Sequence, residues 1–244
     1  MPADFLCTDG FRFIVINDPH YENEQCGAYL TAAFEQMKRG PEFDFMLTCG
    51  DLATAGRAEE LAGYKTATQV LGRPSYVVMG NHDWLTDSDR GPWIETFGEQ
   101  TINYRFEHKG WTFLALDSTM GTEWERVRMQ PEAMAWLEAA LADIPRTRPL
   151  VCFTHTPMGE GVELRLVDAE TVLARFSGHN LRHFFCGHFH GNTERKIGAT
   201  TFTTCACLSH SRGNHDDTTK KGYLLCTAQD GEIACEFVPF VPGD

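Results

Sequence analysis

Short apolar runs recur along the chain, and each gives way to a polar or glycine-containing string. Phe13-Ile14-Val15-Ile16, Phe45-Met46-Leu47, Tyr76-Val77-Val78-Met79, Leu150-Val151-Cys152-Phe153 and Phe184-Phe185-Cys186 are β-branched, aromatic or aliphatic throughout, and they predict strands. Helices are expected near 24–38, closed by Gly40-Pro41, and near 57–71, closed by Gly72 and Pro74. The second half changes character: a hairpin over 102–107 and 110–116, a helix opened by Pro131 to about 143, a strand over 149–154 and a helix near 168–176. Beyond Cys186 the pattern is mostly β, over 192–197, 200–206, 222–228 and 231–238, with Gln229-Asp230-Gly231 as a hairpin turn. An α/β chain folded as an αββα sandwich, two mixed sheets face to face with helices outside, fits this order.

Residues 84–101 and 117–130 show no clear periodicity, and loops of that length in a compact domain are usually functional or mobile. Trp84, Trp93, Phe97 and Trp124 fall in them. Local packing beneath the loops is the expected role, a substrate-facing wall the alternative.

Composition narrows the class. A chain of 244 residues, 42% hydrophobic, can bury one sizeable core, so a single domain over 1–244 is expected. A net charge of -13, from 21 basic and 34 acidic residues, opposes duplex nucleic acid and anionic membranes, which reward Lys and Arg clusters. No apolar run approaches the roughly 20 residues of a membrane span, and Met1 to Phe13 lacks a signal-peptide pattern, so the cytoplasm is expected. The nine cysteines, odd in number and without zinc-finger spacing, read as reduced thiols. Cys205-Ala206-Cys207 reads as two faces of a strand; Cys49, Cys152 and Cys186 read as small hydrophobes at buried strand ends rather than redox sensors.

The chemistry lies in the strings that follow the five apolar runs: Asp18-Pro19-His20, Gly50-Asp51, Gly80-Asn81-His82-Asp83, His155 and Gly187-His188-Phe189-His190. All read as loops at the carboxyl ends of strands, where open α/β sheets collect ligands. Two divalent cations close together need a bridging carboxylate, imidazoles for the rest of each shell, and open positions for water and phosphate oxygens. Asp51 is the candidate bridge. Glycines 50, 80 and 187 are expected to let the backbone turn sharply off each strand.

Five strings in this order resemble the calcineurin-like metallophosphoesterases, marked by D-x-H, G-D, G-N-H-[DE], H and G-H-x-H, and the resemblance covers residues 11 to about 205. It implies Asp18, His20, Asp51 and His190 around a first metal and Asp51, Asn81, His155 and His188 around a second. It also implies His82 beside the leaving group without ligating, and Asp83 as its orienting partner. Thr54 stands where purple acid phosphatases carry tyrosine, so permanent ferric iron is not expected. Gly50-Asp51-Leu52-Ala53-Thr54-Ala55-Gly56 lacks the arginine-bearing block of the protein phosphatases. The remaining likeness is to the bacterial branch with class III cyclic-nucleotide phosphodiesterases and glycerophosphodiesterases. That branch implies hydrolysis of small phosphodiesters, with cyclic nucleotides the first substrate to test, through attack on phosphorus by a hydroxide bridging two ions of Mn, Fe, Zn or Co. A phosphomonoesterase or nucleotidase is the alternative. Scaffold relatives have lost ligands, which the intact set here argues against.

With 32 residues between His155 and His188, no large cap domain is expected over the cleft. Gly213-Asn214-His215-Asp216 repeats the third string, but it follows the last one and no strong strand precedes it. It reads as a polar turn before the strand near 222. The rival reading puts residues 209–215 at the cleft rim, with Arg212 on a phosphate oxygen.

Overall fold

A computed structural model describes residues 10–242, so Cys7 and the first nine residues of the segment read for a leader fall outside it. The strands form two mixed sheets. The first has the order β11-β10-β1-β2-β3, with β1 Phe11–Ile16, β2 Phe45–Cys49 and β3 Ser75–Val78 parallel, and β10 Gly222–Gln229 and β11 Glu232–Pro239 antiparallel at one edge. The second has the order β4-β5-β6-β7-β9-β8. Its central strands β5 Trp111–Ala115, β6 Pro149–Phe153, β7 Asn180–Cys186 and β9 Thr200–Thr204 are parallel, while β4 Tyr104–His108 and β8 Thr193–Ile197 close its edges antiparallel.

The uninterrupted apolar runs follow from four layers, because the central strands are buried on both faces. Phe13, Val15, Phe45 and Leu47 meet Phe113, Val151, Phe153 and Phe185 between the sheets. Phe13 and Phe45 stack at 5.3 Å, and Phe113 meets both edge-on at 5.6 and 5.2 Å. On the outer face of the first sheet, Ile14, Ile16 and Met46 bury Leu30 and Phe34 of α1 Glu24–Arg39 and Leu61 and Tyr64 of α2 Ala58–Thr68. Outside the second, Leu114, Leu150 and Phe184 bury Leu137 of α4 Pro131–Ala142 and Val172 of α5 Ala169–Arg175. Asn23 caps α1 by accepting from the Gln25 and Cys26 amides, and Pro131 occupies the first turn of α4, where its missing N–H costs nothing.

Three expectations change. The stretch 84–101 contains a two-turn helix, α3 Gly91–Phe97, which its aperiodic sequence does not announce; it forms around Trp93, fully buried and donating to Thr101 Oγ1 at 2.9 Å. Cys205 and Cys207 are both buried, in irregular chain after β9 ends at Thr204, so they do not occupy two faces of a strand. Cys226 and Cys235 form a disulfide, not free thiols. The turn is the two residues Asp230-Gly231 rather than three, so the hairpin register pairs Gln229 with Glu232 and sets Cys226 directly opposite Cys235. Cys49, Cys152 and Cys186 are buried, and burial pushes their thiols up, Cys186 to about 12, as expected of inert packing groups. Among the described residues no helix is long and apolar enough to cross a membrane.

Candidate metal centre

The parallel strands β1, β2, β3, β6 and β7 all deliver their following loops to one edge of the sandwich. Asp18, His20, Asp51, Asn81, His155, His188 and His190 converge there, all buried. Four of them, Asp18, His20, Asp51 and His188, hold left-handed φ values of 52°, 45°, 52° and 66°. That region is unfavourable for residues bearing a Cβ, so the surrounding packing enforces it. The glycines act differently from the sequence expectation. Only Gly50 of the three adopts a positive φ, 86°. Gly80 and Gly187 are required by close approach instead: a Cβ on Gly80 would strike the Asp51 carboxylate and amide, and one on Gly187 the Cys49 carbonyl.

Two overlapping groups of donors result. Asp18, His20, Asp51 and His190 each offer an atom within 4.8 Å of the others, as do Asp51, His155 and His188, and Asp51 is common to both. Asn81 joins the second group, its Oδ1 lying 3.0 Å from His155 Nε2. His155 Nε2 is 3.4 Å from Asp51 Oδ1, His20 Nε2 3.5 Å from Asp51 Oδ2, and His190 Nε2 3.2 Å from Asp18 Oδ1. Donors about 2.1 Å from one ion lie roughly 3.0 Å apart at right angles and roughly 3.4 Å apart at the tetrahedral angle, the spacing seen here.

The far side of three of the four imidazoles supports the same reading. His155 Nδ1 faces the Cys49 carbonyl at 3.0 Å, His188 Nε2 the Trp124 carbonyl at 2.7 Å, and His190 Nδ1 the Gly213 carbonyl at 2.9 Å. A ring nitrogen that donates to a carbonyl leaves its other nitrogen as a lone pair aimed at the cluster, the usual support of a metal-binding histidine. His20 is buried with neither ring nitrogen hydrogen-bonded, a cost that an ion would relieve. The residues therefore fit divalent cations.

The charges agree. Burial opposes ionisation of Asp18, but His190, His155 and His20 outweigh it and hold the carboxyl below its ordinary range. Asp51 is lowered in the same way, chiefly by His155 and His20 against burial. Burial pushes His20 down to about 3 and His188 to about 4, so both stay neutral. His190 runs the other way: burial disfavours its charge, yet Asp18 pushes it up to about 11. An ion at Asp18 would compete with that proton. Two carboxylates and mostly neutral imidazoles in a water-poor site form a cation-binding set.

His82 stands at the rim, half-buried. Its amide donates to Asp51 Oδ1 at 2.9 Å, and its ring Nδ1 lies 2.7 Å from the Thr54 carbonyl. The orienting contact on the ring thus comes from Thr54 rather than Asp83. Asp83 instead accepts from the Ala53 and Gly80 amides, each at 2.8 Å, and ties the β2 loop to the β3 loop. Burial, with the neighbouring Asp51, raises its carboxyl well above the ordinary range.

Two supports go beyond what the sequence assigns. Asn17, fully buried, donates from Nδ2 to Asp18 Oδ2 and to the Cys205 carbonyl; its place before Asp18 at the end of an apolar strand is the available signal. The other is the second Gly-Asn-His-Asp string, which lies at the cleft rim, as the rival reading has it, rather than in a remote turn. Its Gly213 carbonyl holds His190, and the His215 ring stacks on His190 at 4.5 Å. The aromatic residues of the long loops divide: Trp93 is core with Phe97 against it at 4.7 Å, whereas Trp84 and Trp124 line a groove of about 870 Å³ with Asp117, Thr119 and Met120. Trp124 also borders the metal cavity, so groove and cavity adjoin.

The sequence profile of calcineurin-like phosphoesterases matches residues 11–192. The chain belongs to this family. It is a metal-dependent phosphoester hydrolase by that membership and by its relatives. It is 25% identical to a 3',5'-cyclic adenosine monophosphate phosphodiesterase, CpdA, of Vibrio vulnificus, over 96% of this chain and 92% of that one. It is 26% identical to a probable glycerophosphodiester phosphodiesterase, GpdQ, of Arcobacter nitrofigilis, over 70% of this chain and 65% of the other. Among solved structures, the purple acid phosphatase PPD1 of yellow lupin superposes with a TM-score of 0.72 at 15% identity, over 95% of this chain and 52% of that one. GAP50 of Plasmodium gives 0.69 at 15% identity, over 96% and 86%. The structural likenesses show a shared fold.

Proposed function

We propose that the chain hydrolyses small phosphodiesters, cyclic nucleotides among them, at a pair of divalent ions. One ion would be held by Asp18, His20, Asp51 and His190, the other by Asp51, Asn81, His155 and His188. The observation that carries this is the sharing of Asp51 by both donor groups. The nitrogen and oxygen donors suit Mn, Fe, Zn or Co. Bound there, the ions supply Lewis acidity, activation of water near neutral pH and neutralisation of phosphate charge.

The chain's own residues supply the rest. Thr54 fixes the His82 ring by accepting from Nδ1, which leaves Nε2 free on a residue that lines the cavity with His20, Asp51 and Asn81. A proton on Nε2 can then pass to the departing alkoxide, a contribution of about 10² to 10⁴ in rate. The adjoining groove gives the organic substituent of a diester somewhere to lie, and two relatives named as diester hydrolases favour the same class. Full-length protein reconstituted with Mn²⁺ is the test, comparing bis-p-nitrophenyl phosphate, p-nitrophenyl phosphate and cyclic AMP with metal content measured in parallel. The diester should show the higher kcat/KM. A tenfold or greater preference for the monoester, about 1.4 kcal/mol, would replace the diesterase reading with a phosphatase one.

A further inference from the structure

We infer that Arg212 binds a phosphate oxygen, and that residues 209–216 form an arm holding it at the metal cavity; the inference rests on the function proposed above. The cavity, about 310 Å³, is lined by the candidate ligands and His82 on one side and by Arg212 to His215 on the other. Arg212 is the only lysine or arginine in that lining. Eight other arginines of this acidic chain pair with carboxylates. The Arg212 guanidinium has no hydrogen bond or ion pair with any described residue, although its backbone is tightly held. The Arg212 amide donates to the buried Ser209 Oγ at 3.1 Å, and its carbonyl accepts from Lys221 Nζ at 2.6 Å.

The rest of the arm is pinned as firmly. Gly213 accepts from His190, the Asn214 side chain accepts from the Cys207 amide at 3.2 Å and donates to the Lys220 carbonyl at 2.7 Å, and the His215 amide donates to the His190 carbonyl at 2.9 Å. This arm is therefore docked on a candidate metal ligand with one cationic head left over. A guanidinium presents a planar fork that matches two oxygens of a tetrahedral oxyanion, and a pre-organised backbone reduces the ordering cost of using it. The ligand class is a phosphate group: a non-bridging oxygen of the ester, and more strongly the dianionic product or orthophosphate.

The test uses full-length, metal-reconstituted wild type, Arg212→Ala and Arg212→Lys, with orthophosphate binding followed by titration calorimetry beside metal content and kinetics. Arg212→Ala should keep its metal and weaken orthophosphate about ten- to a hundredfold, the loss expected for charge-assisted hydrogen bonds. KM should rise more than kcat falls, and Arg212→Lys should recover part of the affinity. Orthophosphate affinity and KM within twofold of wild type, loss of metal from Arg212→Ala, or no orthophosphate binding by wild type would each overturn the inference. If orthophosphate binds through Arg212 while no phosphoester is hydrolysed, the proposed function fails and the arm's role stands.

Discussion

Replacing His82 by alanine separates two jobs that the structure gives to one residue. Its backbone amide donates to Asp51 Oδ1 at 2.9 Å, and alanine keeps that amide. Its ring, held by the Thr54 carbonyl at 2.7 Å, is half-buried and belongs to neither group of metal donors. His82→Ala should therefore fold normally and retain the metal content of wild type. What it loses is proton delivery, and the size of that loss depends on the leaving group. A diester that expels an alkoxide should slow by about 10² to 10⁴, or roughly 3 to 5 kcal/mol of barrier, whereas one that expels p-nitrophenolate, stable without a proton, should slow far less. Single-turnover rates for a series of diesters differing only in the leaving alcohol, plotted against its pKa, should be steeper for the variant. A parallel downward shift with unchanged slope would refute the acid role. Loss of metal from the variant would show instead that the ring supports the ligand shell.

Asp51→Asn should lose tight binding of at least one ion because Asp51 serves both groups, while Asp216→Asn, whose carboxylate belongs to neither group and accepts from Thr218 and the Asn192 amide, should keep full metal content; equal losses by elemental analysis would mean that the third string has been assigned to the wrong copy. Gly187→Ala should lose metal and stability together, since the new Cβ meets the Cys49 carbonyl; unchanged melting and metal content would remove the close-approach argument. His183, buried against Phe185 at 4.0 Å and bonded to Thr203, has its pKa pushed down to about 3 by burial, so between about 6.5 and 3 the unfolded chain binds a proton that the folded chain refuses. The His183 contribution to stability should thus be fully present above pH 6.5 and fall as pH drops. His183→Gln should lessen the loss between pH 6.5 and 5 by about 1.6 kcal/mol in urea titrations, and an unchanged loss would refute it.

The sequence by itself determined which residues could bind metal and which strands would deliver them. A ligand string must sit where a buried strand emerges, and both the apolar run and the Asp, Asn or His after it are local features of the chain. Tertiary structure alone decided what stands behind each candidate ligand. The carbonyls of Cys49, Trp124 and Gly213 that orient His155, His188 and His190 come from 106, 64 and 23 residues away, and a backbone carbonyl carries no signature in the sequence. The partners of His82 and Asp83 lie beyond the sequence for the same reason: the resemblance implies Asp83 beside the His82 ring, whereas the three-dimensional path sends the Thr54 carbonyl to one and the Ala53 and Gly80 amides to the other. The second Gly-Asn-His-Asp string gains its meaning only when the chain returns after β9 and lays Gly213 and His215 against His190, a long-range contact set by sheet packing and not by residue type.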